Sequence, residues 1–283
     1  MQQVIPQLRF ATKRLGTGPL VHYAEQGDPS GEVLVFVHGW PDSWFSFSRI
    51  LPLLPARYRA YALDQRGFGD SERPAAEYTI DHFAADVVAF LDAVGTARAT
   101  LIGHSMGSFV ARRVGQTHPE RVGRLVLIGS ALTTVNEVTR EVQEVVRGLE
   151  DPIPPEFVRE FQASTIHGPV PGPFFEGLVA ESLKAPARVW RGAFDGILAF
   201  DDAGQLGRIA APTLIVWGDH DGLFVSSEEQ KQLASAIPGA RLTVYADTGH
   251  SPNWERPERV AADLEAFLGD GQPSPATAAG VSP

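Results

Sequence analysis

The sequence predicts an α/β protein with a mostly parallel sheet covered by helices on both faces, and three observations carry that reading. Six short apolar runs recur at residues 33–39, 58–64, 99–105, 124–130, 212–218 and 240–246. Continuous Val/Leu/Ile segments of this length read as strands buried on both faces. Segments with apolar residues at helical spacing lie between them, and strands alternating with helices imply parallel crossovers. Third, the alternation stops between about Ala131 and Arg208, where no strand run is found.

Taken in order, Leu8–Leu15 and Leu20–Gln26 read as an antiparallel hairpin at one edge, which brings the sheet to eight strands. After runs 33–39 and 58–64, the segment Thr79–Val94 carries Ile80, Phe83, Ala84, Val87, Val88 and Leu91 at helical spacing. Asp81, Asp86 and Asp92 fall on its other faces. A helix follows run 99–105 directly. Between 131 and 208, Pro/Gly-rich loops at 151–157 and 168–177 separate helical pieces, giving a mainly helical insertion. A helix over Ser227–Ala236 and another from Pro257 to Leu268, with proline in its first turn, complete the pattern. Residues 1–130 and 209–269 thus form the core, and the small, polar, proline-rich stretch 270–283 reads as a disordered tail.

Composition removes several functions. A chain of 283 residues that is 43% hydrophobic and 20% charged is not a disordered chain. The excess of 34 acidic over 24 basic residues gives −10, a sign that repels phosphate backbones and anionic lipid. Neither nucleic acid nor a membrane is expected as partner; a homodimer stays open. With no cysteine there is no disulfide framework, thiolate site or cysteine nucleophile. The N-terminus lacks the apolar core of a signal peptide, so the expected location is the cytoplasm. No metal is expected, because histidines and carboxylates nowhere show ligand spacing such as His-Glu-x-x-His.

The string Gly103-His104-Ser105-Met106-Gly107 stands where a strand runs straight into a helix. In such a turn the serine is strained and its hydroxyl is presented at the carboxyl edge of the sheet, with glycines two residues either side allowing the tight bend. A serine hydroxyl needs a base, and that base needs a third group to orient it. Asp221 follows run 212–218 and His250 follows run 240–246, so Ser, Asp and His come in order at successive strand ends. Asp219 is an alternative acid, and an acid after run 124–130, such as Glu137, is a third. Two amide donors are also needed for the developing oxyanion. The Met106 N–H, just after the serine, and the Trp40 N–H, in the loop after run 33–39, are the candidates.

Together these residues resemble the α/β-hydrolase superfamily from about Leu20 to Leu268. The marks are HGWP at 38–41, DQRGFGDS at 64–71, GHSMGS at 103–108, IVWGDHD at 215–221 and GHSPNWERPE at 249–258. The HGxP loop and DxRGxGxS segment look like the branch holding epoxide hydrolases, haloalkane dehalogenases, serine esterases, cofactor-free perhydrolases and C–C hydrolases. Serine at 105, where epoxide hydrolases and dehalogenases carry aspartate, disfavours those two. All five tyrosines lie outside 131–208, the region where epoxide hydrolases carry their ring-opening phenols, which disfavours that activity further. The resemblance implies an α/β-hydrolase fold whose insertion 131–208 is a helical cap, and a triad of Ser105, Asp221 and His250. It also implies hydrolysis of esters or lactones of small to medium apolar substrates through an acyl-enzyme, with no cofactor. C–C hydrolysis and perhydrolysis are alternatives on the same triad, and a ligand receptor with vestigial hydrolysis is an alternative of another class. Trp40, Phe109, Phe174, Trp190, Phe194 and Leu223 are the expected substrate-lining residues. Segment 64–71 reads as a structural turn with Arg66 and Asp70 in local hydrogen bonds.

Overall fold

Successive side chains along the central strands serve two separate cores, which is why their sequences are apolar without a break. The computed structural model describes residues 8–75 and 78–269; the stretch 270–283, read above as a disordered tail, lies outside them. The strands are β1 (Arg9–Arg14), β2 (Leu20–Gly27), β3 (Glu32–Val37), β4 (Tyr58–Leu63), β5 (Ala99–His104), β6 (Val122–Ile128), β7 (Thr213–Gly218) and β8 (Arg241–Tyr245). Their order is β1-β2-β4-β3-β5-β6-β7-β8, antiparallel across β1, β2 and β4 and parallel from β4 onward. The N-terminal hairpin forms at the edge, with every residue of β1 exposed.

The helices are α1 (Ile80–Ala93), α2 (Met106–Thr117), α3 (Glu137–Arg147), α4 (Pro155–Ser164), α5 (Gly172–Ser182), α6 (Ala187–Leu198), α7 (Ser227–Ala236), α8 (Pro252–Glu255) and α9 (Pro257–Gly269). Val35, Val37, Leu101, Leu125 and Ile215 face one core, with Phe83 and Phe90 of α1, Val110 and Val114 of α2, and Leu233 of α7. Leu34, Phe36, Ile102, Val126 and Val216 face the other, against Val260, Leu264 and Phe267 of α9 and Phe47, Ile50 and Leu51. Among the described residues no helix is long and apolar enough to cross a membrane.

Helices α3 to α6 lie between β6 and β7. Prolines at 154, 171 and 186 stand immediately before α4, α5 and α6, so the proline-rich loops mark helix starts. Helix α3 starts at a capping box, Asn136 accepting from the Thr139 N–H while Thr139 accepts from the Asn136 N–H. Both roots of this inserted segment are held by one buried side chain of α2. Arg112 pairs with Asp202 through two contacts of 3.1 and 2.5 Å and donates to the Ala131 carbonyl at 2.5 Å.

Segment 64–71 is a turn built around Asp64, which accepts from the Trp44 and Asp70 N–H groups and pairs with His22. The expected local bond of Asp70 is the one its N–H makes to Asp64 within the turn, while its side chain and that of Arg66 also find partners outside it. Arg66 forms a two-pronged pair with Asp86 of α1 at 2.6 and 2.7 Å, and Asp70 pairs with Lys184 at 2.8 Å. Since β4 and β5 flank β3 on opposite sides, the loops leaving β3 and β5 diverge and open a crevice at the carboxyl edge.

Candidate active site

At the end of β5, Ser105 has φ +51° and ψ −120°, a left-handed conformation that costs a non-glycine residue roughly 1–3 kcal/mol. Hydrogen bonds hold it there. Its N–H donates to the Ile128 carbonyl at 2.9 Å, and its carbonyl accepts from the Ser108 N–H and hydroxyl at 2.8 and 2.6 Å. The flanking glycines are required sterically. A Cβ on Gly103 would stand 2.2 Å from the Gly107 carbonyl oxygen, and one on Gly107 would stand 2.0 Å from that of Val37.

His250 Nδ1 lies 2.8 Å from Asp221 Oδ2, and both side chains are buried. Asp221 Oδ1 is fixed by the N–H groups of Leu223 and Phe224, at 2.8 and 2.9 Å, within its own turn. Of the three acids weighed from the sequence, Asp221 is therefore the one at His250. Asp219 pairs with His220 instead, at 2.8 Å, and Glu137 opens α3. His250 Nε2 is buried and has no hydrogen-bond partner among the described residues, while His250 and Ser105 border the same cavity. Gly129, at φ +57°, lies against the imidazole, where a Cβ would meet ring atoms at 3.1 and 3.2 Å. The one signal for Gly129 in the sequence is its place at the end of run 124–130.

Loop 38–44 packs onto the serine, because a Cβ on Gly39 would lie 3.0 Å from that of Ser105. This sets the Trp40 backbone beside Ser105. The Met106 N–H, first in α2, has no intrahelical acceptor. Neither it nor the Trp40 N–H makes a backbone hydrogen bond outside helices and strands among the described residues. His38 is a brace, its Nε2 accepting from the Gln65 N–H at 3.0 Å, and burial pushes its imidazole down to about 4.

The cavity over Ser105 is narrow, with a volume of about 30 Å³. Trp40, Phe109, Phe194 and Leu223 border it as expected from the sequence. Phe174 and Trp190 do not. Trp190 is wholly buried behind Trp40, whose Nε1 donates to the Trp190 carbonyl at 3.0 Å. Phe174 stacks on Phe45, with Trp254 and the Arg49 guanidinium around it. In their place, Phe161, Gln162 and Thr165, from α4 and the turn after it, reach the cavity.

Asp42 also borders the cavity, only 2% exposed. Burial pushes its carboxyl up to about 7, against the opposing pull of hydrogen bonds from Gln162 and Ser46. His104 Nδ1 lies 3.9 Å from Asp42 Oδ2 without a hydrogen bond, and burial holds that imidazole well below its ordinary range. A strained serine, a histidine with a free buried Nε2 and an orienting carboxylate are the parts needed to activate a hydroxyl toward an electrophilic carbon.

Residues 32–257 match the family model described as alpha/beta hydrolase fold. A non-heme chloroperoxidase of Streptomyces lividans is 31% identical over 286 residues, covering 92% of this chain and 99% of that protein. A 2-hydroxy-6-oxononadienedioate/2-hydroxy-6-oxononatrienedioate hydrolase of Paraburkholderia xenovorans is 27% identical over 285 residues, with 92% and 94% covered. The crystal structure of a hydrolase from Pseudomonas aeruginosa superposes with a TM-score of 0.81 at 26% identity, covering 93% of this chain and 98% of that one.

Proposed function

Because the chain belongs to the α/β-hydrolase family, we propose that it is a serine hydrolase cleaving small carboxylic esters or lactones through an acyl-enzyme on Ser105. The observation that carries this reading is the positive φ of Ser105 at the edge of a cavity it shares with His250, itself paired to Asp221. The Ser105 hydroxyl attacks the ester carbonyl carbon and its proton passes to His250 Nε2. Asp221 stabilises the imidazolium so formed. The Trp40 and Met106 N–H groups take the negative charge on the carbonyl oxygen. As the alkoxide leaves it receives the proton from His250. Water, deprotonated by the same nitrogen, then attacks the acyl carbon, releases the acid and returns the proton to Ser105. No step calls for a cofactor. Helices α3 to α6 act as a cap over the cavity in which the acyl-enzyme forms.

The narrow aromatic cavity favours a short acyl group. Turnover of p-nitrophenyl acetate should exceed that of p-nitrophenyl octanoate in kcat/KM and should vanish in Ser105→Ala, with the fold checked by circular dichroism. Unchanged turnover in Ser105→Ala would overturn the proposal, and release of a single equivalent of p-nitrophenol would point to a ligand receptor.

The similarity to a chloroperoxidase favours perhydrolysis as a second reading. There hydrogen peroxide replaces water at the acyl carbon, and the product is a peracid. Acetate plus peroxide, with peracid measured by bromide oxidation, separates the two. C–C hydrolysis is separated by a vinylogous diketone acid.

A further inference from the structure

Away from the cavity, the loops carrying Asp221 and His250 meet the turn after α4 at a second cluster. His167 of that turn, His220 beside Asp221, and Asp247 in the loop before His250 each offer a ligand atom. These atoms lie within 4.8 Å of one another, and all three residues are exposed. The imidazoles of His167 and His220 stack with centroids 3.9 Å apart.

His220 Nδ1 is hydrogen-bonded to the Asp219 carboxylate at 2.8 Å. That contact favours the proton on Nδ1 and leaves the Nε2 lone pair free, the carboxylate–histidine arrangement that supports metal ligation. The three anchor points are fixed relative to one another. Buried Glu255 accepts from the His167 and Gly168 N–H groups with one oxygen and from the Gly249 N–H with the other. The His220 N–H donates to the Thr248 carbonyl at 2.9 Å, and the His250 N–H to that of Thr165 at 2.9 Å. Asp219 and Asp247 give the cluster negative charge, and Arg256, which donates to the Asp247 carbonyl at 2.8 Å, is the adjacent cation. A second His/Asp cluster, His22 with Asp64 and Asp70, differs in that Asp64 is already engaged by Trp44, Asp70 and His22.

We infer that His167, His220 and Asp247 form a binding site for a late first-row divalent cation of the zinc, nickel or copper class. Two imidazoles and one carboxylate match such ions, whereas calcium and magnesium call for shells of oxygen ligands. Three protein ligands leave a fourth position for water. With His220 held by Asp219, it is the exposed His167 ring that turns about χ2, a broad torsion, to bring its lone pair toward the same centre. A bound ion ties the turn after α4 to the loops that follow β7 and β8, and so braces the inserted helices against the core.

The test uses untagged full-length protein stripped with EDTA, so its readouts are independent of ester turnover. Titration with Zn²⁺ should show one saturable equivalent by calorimetry and a Tm that rises with Zn²⁺. Hydrogen exchange should slow at amides 165–168 and 247–250. His167→Gln and His220→Gln should each weaken binding at least tenfold, and Asp219→Asn by about 10–100-fold. All three should keep the wild-type Tm in EDTA, since these side chains are at the surface. Mg²⁺ should leave Tm unchanged. Absence of a saturable equivalent in the wild type, or equal affinity in the His167→Gln/His220→Gln double variant, would overturn the inference.

Discussion

Asp42 is an acid held where its type is rarely found, 2% exposed beside the cavity. Its carboxyl is pushed up to about 7 by burial, against an ordinary value near 4. Between those values the folded chain holds a proton that the unfolded chain has released. Stability contributed by neutral Asp42 is therefore present at low pH and declines as pH rises, by roughly 1.4 kcal/mol per unit, levelling off above about 7. Asp42→Asn should remove that slope. Urea midpoints of both proteins at pH 5, 6 and 7 test this, and parallel curves would refute it. His104 and His250 face Asp42 across the cavity and are common to both proteins, as is His22, whose imidazole is raised by its bond to Asp64. Sequence brought Asp42 into view only as the residue after HGWP. Its weight comes from Gln162, which arrives from α4, and no local pattern announces that meeting.

At the scale of elements, apolar runs and glycine spacing made the sheet and the turn at Ser105 readable, because both are set by neighbours in sequence. Docking of the inserted helices was not, since it depends on which aromatic faces inward. Phe174 and Trp190 are as apolar as Phe194, yet only Phe194 borders the cavity. The His167, His220 and Asp247 cluster was hidden for the same reason, its members lying on three separate loops. The insertion itself hangs on Arg112, which is wholly buried with Asp202. Arg112→Met would leave the Asp202 carboxylate buried without a cation, with the Gln116 amide as its remaining side-chain donor at 2.6 Å, at a cost of about 3–5 kcal/mol. A double variant, Arg112→Met with Asp202→Leu, should recover a large part of that loss. Denaturant midpoints of the two proteins measure the difference, and equal midpoints would show that the pair is not the anchor.

For the whole molecule, α9 closes a large part of one face of the sheet, beside Phe47, Ile50 and Leu51. Val260, Leu264, Phe267 and Leu268 are buried there against strand residues drawn from β3 to β7. Each such side chain is worth about 1.5–3 kcal/mol, and their sum is comparable with the whole stability of a domain, about 5–15 kcal/mol. Deleting residues 256–269 should thus abolish cooperative unfolding, as followed by circular dichroism in urea. The strand order has a bearing on synthesis as well. Ser105 belongs to a central strand and is translated early, whereas His250 follows the last strand of the sheet and α9 comes later still. On the proposed reading, a chain emerging from the ribosome therefore carries Ser105 long before the imidazole that would activate it, so hydrolysis has to wait until β8 and the loop bearing His250 have emerged and folded.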